Sequence, residues 1–438
     1  MTHVGGFDVD ASGRSYYVPS SFYIYVAPGV LDAEGASLAG GWYRLMHEYG
    51  HLLQDRASLF GVIEFLHFFD SFQSVVLLLT AAGVEVRLPL REAAGADKAW
   101  LTSIESLRSI VYPRTAWRND VWWAYERHRV ADVPVFYEGE LRPIPVAIAH
   151  FVDNKSGDTY EHEIGPREIK EAYSVAIQVL HGGPSVDEPD QFEYVAIERI
   201  LGRAGAVDER QMIAICHWAL QDSVPGVRFF EIVSLLEAEG LRPADELYDR
   251  LREDAMKRGA ADKVDTAARQ LNEIIDNQRK SGEGDLLYQV LGWYRDRAIA
   301  ALRRNLDPAR RFPLDTYVGT RSAAPNPEQF ASMVSEEPIP LVQNANDGAF
   351  AFGGQSVDSD TVLFVRALAD LVSRLWSNGV AGWSCPLVAS CTLHLKDEAC
   401  EQTPWTKSLA ERPCPYGAAA RYLGLPNTHR LLAKAAPA

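Results

Sequence analysis

The chain has 438 residues, of which 47% are hydrophobic and 23% are charged, a composition that is typical of a folded globular protein and excludes a fibrous or disordered one. Its 59 acidic and 43 basic residues give a formal net charge of −16, which excludes nucleic acid as the default partner because phosphate backbones repel an acidic surface. The length is sufficient for two or three domains.

The first hundred residues predict strands followed by two helices. Aromatic and β-branched residues at 15–26 indicate one or two strands, and helices are expected at about Ala36–Asp55 and Leu59–Ala82. The second helix is strongly apolar, but a polar residue every three positions draws a stripe along one face, which is typical of a helix packed inside a protein. These polar residues are Glu64, His67, Asp70 and Gln73. We therefore expect no membrane segment and, since the first residues lack the pattern of a signal peptide, a cytoplasmic protein.

A β-hairpin followed by a helix is expected further along the chain. Pro145–Val152 and Thr159–Ile164 have the composition of strands, and 154–158 between them has that of a turn. The Gly-Pro pair that follows predicts the start of a helix at Arg167–Leu180, because proline is well tolerated at a first helical position.

The rest of the chain is mostly helical by its hydrophobic periodicity, apart from a long irregular connection expected at 307–354. The expected helices are Glu193–Arg203, Glu209–Gln221, Phe229–Glu239, Ala244–Asn277, Asp285–Asn305 and Asp360–Trp376. Together these elements predict an α+β fold that is predominantly α-helical. We expect three parts: a first domain at 1–240, a helical region at 241–380 and a small cysteine-bearing tail at 381–438.

The strongest chemical signal is the run His47-Glu48-Tyr49-Gly50-His51. Four residues span just over one helical turn, so both imidazoles project from the same face and can bind one metal ion. Glu48 stands beside the first imidazole, where it can take a proton from a metal-activated water and pass it to a leaving group. Zinc lowers the pKa of such a water to roughly 7, so the motif predicts a zinc-dependent hydrolase.

This motif resembles the HExxH signature of the zincin metallopeptidases, and a glutamate as third ligand would make the chain similar to the gluzincins. The resemblance implies that 1–240 forms a zincin-like catalytic domain that hydrolyses peptide bonds in a peptide or protein substrate, with Glu48 as the general base. It also implies a third zinc ligand on a later helix. Glu171 fits that place, because small side chains after it allow a close approach to the histidine helix, and Glu168 is the alternative ligand.

Two further features would suit a peptidase. A strand that lines the cleft can pair with an extended substrate, and we expect Ala147–Val152 to be that strand. Tyr173, His162 and His217 are candidates for stabilising the oxyanion that forms when water attacks a carbonyl, although each also has an ordinary structural explanation.

Two alternative functions remain open. The segment from Glu48 to His51 is also an ExxH unit, and the segment from Glu64 to His67 is a second one. Two such units with further carboxylates form the di-iron site of ferritin-like redox proteins. The units follow each other too closely for that fold and leave His47 unexplained, so zinc is favoured. The other alternative is a non-catalytic binding protein that zinc stabilises.

Four of the five cysteines lie in the tail, at Cys385, Cys391, Cys400 and Cys414. Since cytosolic proteins rarely keep disulfides, this clustering indicates metal ligation. The spacings match no common zinc finger, so we expect first a structural zinc, second an iron–sulfur cluster, and third cysteines that are unliganded or disulfide-bonded. The fifth cysteine, Cys216, lies in an apolar helix and is expected in the core.

Overall fold

The protein is described by a computed structural model. It covers residues 15–18, 22–27, 30, 42–82, 85–88, 90, 123–137, 140–185, 192–281, 285–317, 327–344, 349–352, 359–377, 384, 385, 388, 391, 396–409, 413–425 and 430–433. Within these ranges helices dominate and the strands form three small sheets. The expectation of a mostly helical α+β fold is therefore confirmed.

The helices and strands are numbered separately in chain order. The helices are α1 (Trp42–Ala57), α2 (Leu59–Ala82), α3 (Pro166–Leu180), α4 (Phe192–Leu201), α5 (Glu209–Ala219), α6 (Pro225–Glu239), α7 (Ala244–Lys257), α8 (Ala260–Ser281), α9 (Asp285–Leu306), α10 (Pro327–Glu336), α11 (Ser359–Ser377), α12 (Ala399–Gln402) and α13 (Pro415–Tyr422). The strands are β1 (Tyr16–Val18), β2 (Tyr23–Val26), β3 (Glu85–Leu88), β4 (Trp123–Tyr137), β5 (Glu140–Asp153), β6 (Thr159–Ile164), β7 (Ile339–Asn344), β8 (Ala349–Phe352) and β9 (Arg430–Ala433). Short 3₁₀ helices span Leu314–Tyr317 and Pro404–Leu409.

The sheets join distant parts of the chain. One sheet has the order β1-β2-β7-β8, in which β2 and β7 run parallel. A second sheet pairs β3 with β9 in parallel, and the third is the antiparallel sheet β4-β5-β6. Parallel neighbours cannot be linked by a tight hairpin. The strand β2 precedes α1 and pairs with β7, and β3 follows α2 and pairs with β9. Both therefore take partners from the last hundred residues.

A sharp corner joins α1 to α2. The Ser58 hydroxyl accepts a hydrogen bond from the Gly61 N–H at 2.9 Å and so caps the first turn of α2. The same hydroxyl donates to the Gln54 carbonyl at 2.6 Å. A Cβ atom on Gly61 would lie 2.5 Å from the Asp55 Cα atom, so the corner requires a residue without a side chain.

The α1 helix packs closely against α3. A Cβ atom at Gly50 would lie 3.0 Å from the Ser174 Oγ atom and 2.9 Å from Ile177 Cδ1, which shows how near the two helices come. The small side chains expected to permit this approach are in place, and Ala172 and Ala176 are buried. The close packing confirms the expected neighbourhood of the two helices.

Residues from the second half of the chain hold the other side of α1. The Tyr294 hydroxyl on α9 donates to the Asp55 carbonyl at 2.9 Å. Arg56 forms an ion pair with Glu337 at 3.6 Å, and both side chains are fully buried. Tyr49 donates to the Glu337 carbonyl at 2.9 Å. A buried charge without its partner is strongly destabilising, so this pair fixes α1 against the segment between α10 and β7.

One contiguous cluster of buried side chains extends through the described parts of all three sequence regions. Tyr49, Tyr294 and Tyr416 belong to it and are almost fully buried. Tyr422 of α13 stacks on Phe72 of α2 with ring centroids 5.1 Å apart, so the tail contacts the N-terminal half. The division into three regions stays a prediction. No helix in the described ranges is long and apolar enough to cross a membrane.

Several expected elements differ from the structure. The single helix expected at Ala244–Asn277 is wrong: it breaks between α7 and α8, where Gly259 adopts a positive φ of 79°. A φ in this region is readily adopted by glycine, and it ends a helix. The irregular connection expected at 307–354 is also wrong, because it contains α10, β7 and β8. The long strand β4 was not expected. Residues 36–41, the expected start of the first helix, lie outside the described residues.

Candidate metal centre

Three side chains from two helices converge on one point. His47 and His51 lie one turn apart on α1, with ring centroids separated by 5.0 Å. The Glu171 Oε2 atom on α3 lies 3.3 Å from His47 Nε2 and 3.4 Å from His51 Nε2. Among the described residues, these three form the group of potential metal ligands whose donor atoms all lie within 4.8 Å of one another.

The spacing of the donor atoms fits a small divalent metal ion. A tetrahedral zinc ion with bonds of about 2.0–2.1 Å places its ligand atoms about 3.3 Å apart. Glu171 Oε2 is buried, and it makes no hydrogen bond of normal geometry to any residue that the structure describes. The oxygen and the two nitrogens therefore lie close together without a well-formed hydrogen bond between them. Two imidazoles and one carboxylate are a donor set that catalytic zinc sites use.

Glu168, the alternative ligand, has a structural role. Its Oε2 atom accepts the Gly165 N–H at 3.0 Å, which caps the first turn of α3. Its Oε1 atom lies 3.2 Å from His162 Nε2 on β6. Glu168 therefore joins the start of α3 to the hairpin, whereas Glu171, one turn later, faces the two histidines of α1.

Opposing electrostatic effects act on the ligand candidates. Burial opposes ionisation of Glu171, but the His51 and His47 rings outweigh it and hold the pKa of this carboxyl well below its usual range. Burial also opposes protonation of His51, yet the Glu171 carboxylate raises the pKa of that ring. The centre is thus a buried anion that attracts a positive charge.

Glu48 lies beside this group and is 7% exposed. Burial raises the pKa of its carboxyl to about 7, and the Glu171 charge contributes to the rise. His47 and a hydrogen bond from the Tyr17 backbone N–H act in the opposite direction. Glu48 is therefore a carboxyl that exchanges a proton near neutral pH, as a general base and acid must.

Gln54 and Ser174 orient the second histidine. Gln54 Oε1 lies 3.2 Å from His51 Nδ1, and Ser174 Oγ lies 3.3 Å from the same nitrogen. The Gln54 amide also donates to the Lys170 carbonyl at 3.0 Å. Acceptance by Gln54 favours the tautomer with the proton on Nδ1, which leaves the lone pair of Nε2 free to bind a metal. Gln54 thereby links His51 to the turn of α3 that carries Glu171.

A buried charge cluster lies behind the centre. The Lys170 ammonium group lies 3.0 Å from Asp55 Oδ1 and also donates to Glu64. The Tyr17 hydroxyl donates to the other Asp55 oxygen at 2.8 Å. Burial lowers the pKa of His67. A second metal ion at Glu64 and His67, as the di-iron alternative requires, would have to displace a buried ammonium group.

The oxyanion candidates are engaged in other parts of the fold. His162 Nε2 lies 3.2 Å from Glu168, and Nε2 of His217, on α5, lies 3.3 Å from the Gln221 amide nitrogen. Tyr173, on α3, is buried in the hydrophobic core. Their role in stabilising an oxyanion stays a prediction.

The strand expected to accept a substrate has no free edge. Ala147–Val152 pairs with β4 on one side and with β6 on the other, with Ala147 opposite both Val130 and Ile164. The expectation was wrong because β4, its unexpected neighbour, covers the outer edge. In the described part of the four-stranded sheet β1 and β8 lie at the edges, and the Tyr17 N–H of β1 donates to Glu48.

The cysteines are all thiols. Cys216 is fully buried in α5, as expected, and burial raises the pKa of its thiol well above the usual range. Cys385 and Cys400 are buried, and Cys391 and Cys414 are partly buried. The structure forms no disulfide among these five described residues. Metal ligation by the tail cysteines stays a prediction at this point.

Gln54, Ser174 and Lys170 were not identified as contributors to the centre from the sequence. Gln54 follows His51 by three positions, so its place on the same helix face was visible in the sequence. The pairing of Lys170 with Asp55 and Glu64 has no sequence motif, since it arises only where three helices meet.

No protein-family model matches the chain, and neither does any curated protein or solved structure. The function proposed next therefore depends on the residues and the geometry of the candidate metal centre.

Proposed function

We propose that the protein is a zinc-dependent metallopeptidase of zincin-like organisation. The observation that carries the proposal is the convergence of His47, His51 and Glu171 on one point, with the Glu48 carboxyl beside it. The distances from Glu171 to the two histidine nitrogens agree with tetrahedral zinc, and the donor set is one of catalytic zinc sites.

When bound, zinc would supply a Lewis acid that polarises the scissile carbonyl and lowers the pKa of water. His47, His51 and Glu171 would hold the ion, and Gln54 would fix the ring of His51. Glu48 would take the proton of the attacking water and deliver it to the departing amine. The pKa of about 7 describes Glu48 without a cation nearby, and a bound dication would lower it toward the ionised form that a base needs.

The edge strand β1 supports a peptide as the substrate class. Within the described sheet β1 pairs with β2 on one side, and its Tyr17 N–H reaches Glu48 on the other. An extended peptide that adds to such an edge is held by backbone hydrogen bonds, and at Tyr17 it would compete with Glu48 for the N–H. Its carbonyls would then pass next to the metal position.

The proposal is tested by comparing wild type with Glu48→Gln in a proteomic cleavage screen. We expect the variant to bind zinc at the wild-type level and to lose about 10²–10⁴-fold in cleavage rate, because only the proton transfer is removed. Glu168→Gln is the matched control, since it alters a buried carboxylate one turn before Glu171 that contacts Gly165 and His162, and it should retain activity.

Three results would contradict the proposal. Full activity of Glu48→Gln would remove Glu48 from the mechanism. Iron in place of zinc in elemental analysis of the purified chain would favour a di-iron redox protein, and zinc without any cleavage by the wild type would favour a non-catalytic binding protein.

A further inference from the structure

The metal centre leaves the tail cysteines without a role. All four lie close to or within the small unit made of α12, the 3₁₀ helix Pro404–Leu409 and α13: Cys400 belongs to α12, Cys414 directly precedes α13, and Cys385 and Cys391 precede the unit in the chain. This unit packs on α11 and α2.

Backbone hydrogen bonds bring the first and third cysteines together. The Cys385 N–H donates to the Cys400 carbonyl at 2.7 Å, although the two residues are not neighbours in sequence. The Cys385 carbonyl accepts the Val388 N–H at 3.1 Å, a hydrogen bond of the kind that closes a turn. The Cys400 N–H donates to the Asp397 carbonyl at 3.0 Å, which makes a second turn just before that cysteine. Turns of this kind present thiols from loops, as structural metal sites do.

The fourth cysteine lies at the start of α13. Its Sγ atom accepts the Gly417 N–H at 3.4 Å. A Cβ atom at Gly417 would lie 2.6 Å from the Lys407 carbonyl oxygen, so this glycine is required for the contact between α13 and the 3₁₀ helix. A helix N-terminus with an amide aimed at sulfur stabilises a thiolate more than a thiol.

The cysteines also share an electrostatic neighbourhood. The Cys414 thiol lies close enough to Cys400 and Cys391 for their charges to interact. The Lys407 ammonium interacts with Cys400 and Cys414 and forms an ion pair with Asp397. Several thiolates in one place repel each other, and a cation at their centre together with Lys407 would neutralise them.

We propose that Cys385, Cys391, Cys400 and Cys414 bind one structural zinc ion that is separate from the metal centre on α1. Tetrahedral zinc with bonds of about 2.3 Å to sulfur sets the sulfurs about 3.8 Å apart. No three of these four described sulfur atoms lie within 4.8 Å of one another. Zinc binding must therefore bring the four sulfur atoms closer together, which would hold α12 and α13 more firmly on α11 and α2.

Zinc content of the full-length chain is the first test. Wild type should carry two zinc ions, and His47→Ala/His51→Ala should retain one. Adding Cys400→Ser to that double variant should remove the remaining ion, whereas adding Cys216→Ala, the matched control in the core, should leave it. Because the histidines are already replaced, the result does not depend on whether the protein is a peptidase.

Thiol reactivity of the wild type is the second test, and it applies even if Cys400→Ser does not fold. Four thiols should react slowly with a chromogenic disulfide in the zinc-loaded protein, and their reaction rates should rise after a chelator is added.

Cobalt in place of zinc should give sulfur-to-metal charge-transfer absorption that Cys400→Ser lacks and Cys216→Ala keeps. A histidine double variant that binds no zinc, a chelator that leaves the thiol rates unchanged, or iron with acid-labile sulfide in the tail would each overturn the proposal.

Discussion

Gln54 illustrates how one uncharged side chain can hold the ring of a candidate metal ligand. It contacts His51 Nδ1 and the Lys170 carbonyl at the same time. We expect Gln54→Ala to weaken zinc affinity at the centre by about 10–100-fold, the usual effect of losing a residue that orients a ligand. Competition with a fluorescent zinc chelator measures this affinity.

The control for this prediction is Gln221→Ala. Gln221 is also buried and donates to the Ala57 carbonyl at 2.9 Å, so its loss should lower stability without touching a ligand candidate. Equal zinc affinities for the two variants would mean that Gln54 does not position His51.

His217 makes stability depend on pH. Burial lowers the pKa of this ring to about 3 in the folded protein, whereas an unfolded histidine titrates at roughly 6.5. Above pH 6.5 the ring is neutral in both states and contributes no pH dependence. Below it the unfolded state takes up the proton first, so the free energy of unfolding falls by about 2 kcal/mol at pH 5 from this ring alone.

Urea unfolding at pH 7 and pH 5 checks this expectation. His217→Gln cannot take up the proton, so its free energy of unfolding should fall by about 2 kcal/mol less than that of wild type between the two pH values. An identical fall in both proteins would show that another group carries the acid sensitivity.

At this scale the sequence identified the candidate ligands better than the residues that support them. His47, Glu48 and His51 belong to a motif with defined helical spacing, and the resemblance to gluzincins pointed to Glu171, which the structure places beside the two histidines. Lys170 could not be identified, because its partners come from two other helices and its burial depends on their packing. Patterns along one helix are visible in sequence, whereas contacts among three helices are not.

At the scale of elements, the corner between α1 and α2 is the sharpest constraint. Gly61→Ala would place a methyl group 2.5 Å from Asp55 Cα and from the Gln54 carbonyl oxygen, and backbone atoms cannot rotate away. We expect a loss of about 1–3 kcal/mol in the free energy of unfolding, measured by chemical denaturation. Since the corner carries Gln54, zinc affinity should fall as well.

Gly292 provides the matched control for this substitution. It lies within α9, and a Cβ atom there would meet nothing within 4 Å. Gly292→Ala should therefore raise the free energy of unfolding by up to about 1 kcal/mol, because alanine is the better helix former. If Gly292→Ala lowered the free energy of unfolding as much as Gly61→Ala does, close packing at Gly61 would not be the explanation.

Elements with strong local signals were predicted well. α2 and β6 have the bounds expected from their periodicity and composition. The helix expected at Ala244–Asn277 was wrong because a single glycine within a periodic pattern does not reveal its φ angle. β7 and β8 were missed because their pairing partners include β2, at the other end of the chain. Local propensity is weak where distant pairing stabilises a strand.

At the scale of the whole molecule, a metal ion would act as a link between α1 and α3. A ligand that binds only the folded state stabilises it by about 2.7 kcal/mol at one hundred times its dissociation constant. We expect zinc added to the metal-free chain to raise the thermal midpoint, and Glu171→Gln to reduce that increment. Differential scanning calorimetry measures both.

Glu168→Gln separates metal binding from general destabilisation. It should lower the midpoint because it removes a helix cap, yet it should keep the full zinc increment, since Glu168 contacts Gly165 and His162 and not the α1 histidines. A similar increment in wild type and Glu171→Gln would exclude Glu171 as a ligand.

The contacts between segments from the beginning and from the end of the chain have a consequence for the synthesis of the protein. The ribosome synthesises α1, with its histidines and Glu48, long before β7 and Glu337. The strand β2 needs β7 as its partner in the sheet, and the buried Arg56 needs Glu337 as its ion-pair partner. A growing chain therefore holds the ligand residues without the framework that encloses them. If the protein is a peptidase, it becomes competent only after nearly all of it has been translated, so unfinished chains do not cut their neighbours.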